Sequence, residues 1–143
     1  MHSVSLRLRR LGHIVTPIED TEKLGEHFKS HREKLVRVDG LLCKLYFAAT
    51  PYVGNSARRQ TYVRVCLTYD VLKDVHVVFL YVYLKWHRPL LFVASSKLLI
   101  EAYFRNEVKE KYVLVPVEER ETYKNHKPRV RWVHAAEAGD LFR

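Results

Sequence analysis

Glutamine occurs once in this 143-residue chain, at Gln60, methionine once, at the start, and asparagine three times. Thermolabile side chains are scarce while Arg, Lys, Glu and Val are plentiful, the composition expected of a thermophile protein. Cysteine occurs only at Cys43 and Cys66, a spacing that fits no zinc motif. Both lie in strand-like segments and read as small core residues, and a disulfide between them stays open. No apolar run reaches the roughly 18–20 residues of a membrane-spanning helix. The longest, Val75 to Leu84, is broken by His76 and bounded by Asp74 and Lys85. The basic start MHSVSLRLRR is not followed by an apolar segment, so no secretion signal and no membrane partner are expected. The default expectation is a cytoplasmic protein.

Chemical signatures are scarce too. The sequence has neither common form of phosphate-binding glycine loop and no Gly-x-Ser-x-Gly elbow. His27 and His31 share a helical spacing, but Phe28 stands where a zinc-protease helix needs Glu, so they read as a solvated face and no metal site is expected. Either cysteine as a nucleophile would need a base partner that the sequence does not locate.

What is present is an apolar share of 48%, spread along the whole chain, which suffices for one core and one domain over residues 1–143. Also present is a net charge of +9, from 25 Lys and Arg against 16 Asp and Glu. Basic domains attract polyanions, because phosphate contacts release condensed counterions. DNA or RNA is therefore the expected partner.

The segment before Gly12 fits either a helix, through Leu8 and Leu11, or a strand, through Val4, Leu6 and Leu8. Gly12 suits a helix end, and His13 to Val15 then reads as a strand stopped by Pro17. Asp20 or Thr21 caps an expected helix carrying Leu24 and Phe28. Asp39-Gly40 between two apolar runs predicts a type I′ hairpin, which makes Asp39 a turn residue rather than a catalytic acid. Thr61 to Tyr69 alternates as a half-buried strand. Tyr62, Tyr81 and Tyr83 read as sheet-packing residues. Val75 to Leu84, apolar on both faces, predicts a central strand, returning through Trp86-His87-Arg88-Pro89 to a paired strand at Leu90 to Ala94. Ser95 or Ser96 caps a helix to about Val108 with Leu98 and Leu99 inward. Tyr112 to Val117 is a strand that Pro116 places at an edge. A short strand at Val130 to Val133 and a helix from Ala135 to Phe142 close the chain. The order predicts an α/β fold with a mixed β-sheet flanked by helices.

Three blocks carry a family resemblance. LRLRRLGHIVTPI is similar to a helix ending near Gly before a short strand. REKLVRVDGLLCKLYFAAT is similar to an acid, a Gly turn and the strand that follows. VHVVFLYVYLKWHRPLLFVASSKLL is similar to a strand–turn–strand–helix. Together they resemble the PD-(D/E)XK nuclease superfamily, which includes archaeal Holliday-junction resolvases and many restriction endonucleases. The resemblance implies a restriction-endonuclease-like fold. It places Glu33 at the first acid, and Tyr46, Phe47 and Ala48 where (Asp/Glu)-x-Lys should be. These enzymes hold Mg²⁺ with two carboxylates and use a Lys to position or activate water. Tyr46 and Ala48 supply neither, so Glu33 is a remnant and the resemblance implies a nuclease-like domain that binds without cutting. An active nuclease would need Mg²⁺ and migrated residues, with Glu33, Asp20 and Lys44 nearest. The opening LRLRRLGHIVTP is also similar to the tRNA-splicing endonuclease family. Many nucleases of this kind pair as C₂ homodimers to meet two strands, which makes a homodimer a further expectation.

Candidate phosphate contacts are Arg7, Arg9 and Arg10; Arg58 and Arg59; Arg88, beside Trp86 and His87 at a hairpin tip; and Lys124, Lys127, Arg129 and Arg131. The competing expectation is a protein-interaction module with an exposed apolar patch or sheet edge and no affinity for nucleic acid.

Overall fold

The structure, a computed structural model, describes residues 2–18, 35–53, 61–105, 109–117 and 130–138. The helix expected after Asp20 lies outside the described residues.

The chain opens with helix α1 (His2–Arg10). Its buried side chains are Val4 and Leu8, one turn apart, while Leu6 and Leu11 remain exposed. The i, i+4 pair therefore decides the ambiguity of this segment in favour of a helix. The helix ends in a Schellman motif. Gly12 takes φ +94°, its N–H bonds the Arg9 carbonyl, and the His13 N–H bonds the Leu8 carbonyl. Arg7, Arg9 and Arg10 in the last turn complement the negative end of the helix dipole.

Strand β1 (Val15–Thr16) pairs antiparallel with β2 (Leu35–Val38), which turns into β3 (Leu41–Ala48). Asp39 and Gly40 have φ of 53° and 82°, and Val38 pairs with Leu41, as a two-residue type I′ hairpin requires. Asp39 is a structural turn residue. Its Oδ1 accepts from the Ile14 N–H at 2.8 Å and its Oδ2 lies 2.7 Å from His13 Nδ1, tying the turn to the start of β1. The His13 bond first, and then the Ile14 N–H, hold the carboxyl below its ordinary value of 3.8. A folded-state value below the unfolded one gives stability that is present above about pH 4 and lost as the pH falls through the folded value. We expect denaturant midpoints measured from pH 5 to pH 2 to fall more steeply for the wild type than for Asp39→Asn, which keeps the turn geometry but cannot titrate.

After β3 come β4 (Tyr52–Val53), β5 (Thr61–Thr68) and the short helix α2 (Tyr69–Leu72). These elements form the crossover to β6 (Val77–Val82), which pairs parallel to β3 from Cys43↔Val77 to Ala48↔Val82. The chain returns antiparallel as β7 (Leu90–Ser95). Helix α3 (Ser96–Tyr103) follows, capped by the Ser95 side chain, which accepts from the Leu98 N–H. It ends at Tyr103, short of Val108, and Leu98 is exposed rather than inward. Then come β8 (Glu110–Pro116), β9 (Val133–His134) and a 3₁₀ turn at Ala135–Glu137. That turn stands where a longer terminal helix was expected; residues 139–143 lie outside the described residues.

The fold is mixed α/β, with two sheets where the sequence predicted one. A six-stranded mixed sheet has the order β1-β2-β3-β6-β7-β9, and a three-stranded antiparallel sheet has the order β4-β5-β8. β6 is central, as its apolar faces predicted. β8 is an edge, as Pro116 predicted, but of the smaller sheet. One face of the large sheet packs Cys43, Leu45, Val77, Phe79, Leu91 and Val93 against Val4 and Leu8 of α1. The other packs Val78, Leu80, Val82, Phe92 and Ala94 against Val63, Val65, Leu67, Val113 and Val115 of the small sheet and against α2 and α3. Both cysteines are free thiols. Burial pushes the Cys43 thiol up to about 12. No helix among the described residues is long and apolar enough to cross a membrane.

Candidate nucleic-acid interface

Two basic segments that are far apart in sequence meet at one end of the large sheet. Arg7 of α1 donates from Nη1 to the Pro89 carbonyl at 2.6 Å, across 82 positions. Pro89 closes the β6–β7 connection, which exposes Lys85, Trp86, His87 and Arg88. The indole of Trp86 is 67% exposed. Beside this tie lies an open cleft of about 340 Å³, lined by Arg7, Arg10, Leu91, His134 and Glu137 among others. Glu137 is the acid in that lining.

Aromatic side chains continue the same surface. Leu91 at the cleft pairs with Tyr81 of β6, and Tyr81 pairs with Phe47 of β3. Phe47, half exposed, meets Tyr81 edge-on with ring centroids 6.1 Å apart. Tyr83, one step beyond β6, is also exposed, so it is not the sheet-packing residue its spacing predicted; Tyr62 and Tyr81 are half-buried. Cationic groups beside exposed rings suit a ligand that offers phosphates and bases together.

The remaining candidates divide clearly. Arg9 donates to the Val15 carbonyl at 3.1 Å, so part of its donor set fastens β1 to α1. Arg131 is exposed ahead of β9, where neighbouring Val130 and Trp132 are buried. With Phe92 paired to His134, it sits toward the Ser95 end of β7, away from the cleft. Glu33, Arg58, Arg59, Lys124, Lys127 and Arg129, together with Asp20, lie outside the described residues.

The positions that the nuclease comparison singled out face the small sheet. Lys44, Tyr46 and Ala48 alternate with Cys43, Leu45 and Phe47 along β3 and point into the layer between the sheets. Lys44 is 2% exposed, its Nζ 5.1 Å from the centre of the Tyr46 ring. Burial pushes the Tyr46 phenol up to about 12, so it is neutral at pH 7. Among the described residues no three His, Cys, Asp or Glu side chains gather as a metal site would require. Sequence reading missed the Arg7–Pro89 tie, for which no local pattern exists, and the burial of Lys44. No family model, curated protein or solved structure matches the chain.

Proposed function

We propose that this chain binds nucleic acid through the α1 and β6–β7 end of its large sheet and does not cleave it. The observation that carries this reading is the Arg7–Pro89 hydrogen bond, which joins the arginine-bearing last turn of α1 to the exposed Lys85–Arg88 connection. A net charge of +9 supplies the long-range attraction. The exposed Phe47, Tyr83 and Trp86 supply ring faces and edges for sugar or base.

The nuclease comparison within this proposal draws on local elements. A helix ending at a left-handed glycine precedes a short strand, an Asp-Gly hairpin follows, and β6, β7 and α3 make the strand–turn–strand–helix. The absence of cleavage rests on chemistry at the triplet position. A neutral phenol at Tyr46 and a methyl at Ala48 offer neither an anionic ligand nor an ammonium there. Lys44, next along that face, is enclosed between the sheets.

The test is the affinity for a labelled 20-bp duplex measured by anisotropy between 50 and 200 mM salt. Each phosphate contact adds about 0.9 to the negative slope of log affinity against log salt. We expect a slope of about −3 to −4 from Arg7, Arg10, Lys85 and Arg88, with the duplex intact after incubation with Mg²⁺. A slope near zero, or no binding at 50 mM, overturns the reading.

A further inference from the structure

The small sheet presents a second surface, of different character, on the side facing away from the large one. Alternation along β5 sends Val63, Val65 and Leu67 inward and leaves Arg64 exposed on the outer side. Along β8 the outward positions are Tyr112 and Leu114, 61% and 50% exposed. Tyr52 of β4 pairs with Tyr62, and Leu114 of β8 pairs with Arg64, so Tyr52 and Tyr112 both lie diagonal to Arg64 across neighbouring strands. The guanidinium carbon of Arg64 is 5.4 Å from the Tyr52 ring centre and 5.0 Å from that of Tyr112. Three adjacent strands therefore carry a tyrosine, an arginine and a tyrosine in one diagonal row, with each ring beside the cation.

We propose that this face stacks the bases of single-stranded nucleic acid, an inference that rests on the binding function proposed above and adds a strand preference to it. The two tyrosines stand two strand spacings apart and on opposite diagonals of Arg64, which separates their rings and lets each take one unstacked base. Arg64 between them meets the phosphate that joins those bases, in the bidentate geometry a guanidinium favours. Duplex bases are already stacked and cannot use such rings, so the selectivity is for single strands. The charge at the centre of the row and the excess charge of the whole chain match a polyanion better than an apolar partner. Exposed tyrosine on a sheet bounded by the edge strands β4 and β8 also carries an aggregation liability, one that a base-stacking role accounts for.

The experiment compares labelled oligo-dT and oligo-U with a 20-bp duplex, using the wild type and a Tyr52→Leu/Tyr112→Leu double variant. Leucine keeps apolar bulk on the strands and removes the rings. The expected result is a loss of roughly tenfold or more in single-strand affinity with duplex affinity within twofold of wild type. A double variant that melts like the wild type and binds single strands equally well overturns the inference. Should the variant be unstable, photo-crosslinking of bromodeoxyuridine oligomers to the wild type decides: adducts at Tyr52 or Tyr112 support it, and adducts confined to the α1 and β6–β7 end overturn it. Duplex binding without single-strand binding sinks this inference alone and leaves the face to a protein partner. Binding to neither sinks the proposed function as well.

Discussion

Replacing Lys44 with Ala should destabilise the fold by about 2–5 kcal/mol, the range for truncating a long buried side chain. Lys44 sits in the middle of β3, paired with Leu35 on one side and Val78 on the other, and is among the largest fully buried side chains. Its four-carbon stem fills space between the two sheets, and its removal leaves a void that Tyr46 and the β5 side chains cannot close without moving. Lys44→Met is the informative partner, because it keeps the unbranched stem and discards the charge. A volume-conserving swap costs under about 1.5 kcal/mol in packing, while removing one member of a buried polar or charged contact costs more. We therefore expect the Met variant to unfold at a denaturant midpoint between those of the Ala variant and the wild type, its shortfall from the wild type measuring what the ammonium contacts contribute. A Met variant as unstable as the Ala variant would mean that the ammonium itself holds this layer together.

The second large effect is on binding. Arg10→Glu combined with Arg88→Glu should lower duplex affinity by about 100-fold or more at 100 mM salt and reduce the salt slope by about 2. The two residues belong to segments almost eighty positions apart, and the effect depends on their sharing a surface through the Arg7 tie. Both are exposed, so the thermal midpoint should stay within the narrow range of surface substitutions. Arg7 would be a poorer choice, since its loss also releases the β6–β7 connection. If the double variant binds the duplex as tightly as the wild type, these two residues do not form the binding surface.

What could be read from the sequence was governed by local backbone chemistry. Asp39-Gly40 dictates its turn because both residues must take positive φ, and few residues besides Asn, Asp and Gly do so cheaply. Gly12 ends α1 for the same reason. Val77 to Val82 is central because both of its faces are apolar, and Pro116 is at an edge because it has no N–H to donate. Partnership was not legible in this way. The alternation of β5 shows that one face is buried, but says nothing of whether its neighbour is β6, close in sequence, or β8, which it actually pairs with from Tyr62↔Pro116 to Thr68↔Glu110. That choice splits the sheet in two. It is also what encloses Lys44, a residue whose charge reads as exposure until a second sheet is laid over it, and what leaves Tyr52, Arg64 and Tyr112 on a free face. Leu98 misled because the helix stripe it shares with Leu99 is wider than the surface α3 buries. At the candidate interface each basic cluster was visible by itself. Their meeting depends on one side chain reaching a carbonyl 82 positions away, which no periodicity encodes.

The central claim is that α1 and the β6–β7 connection form one nucleic-acid-binding surface. Amide hydrogen exchange, followed by mass spectrometry with and without a saturating 20-bp duplex, addresses it most directly. The account predicts slowed exchange in peptides spanning residues 2–12, 83–91 and 133–138, with the β2–β3 hairpin unchanged. Slowed exchange that spares both the first helix and the Trp86 turn, in a sample shown to be bound, would contradict it.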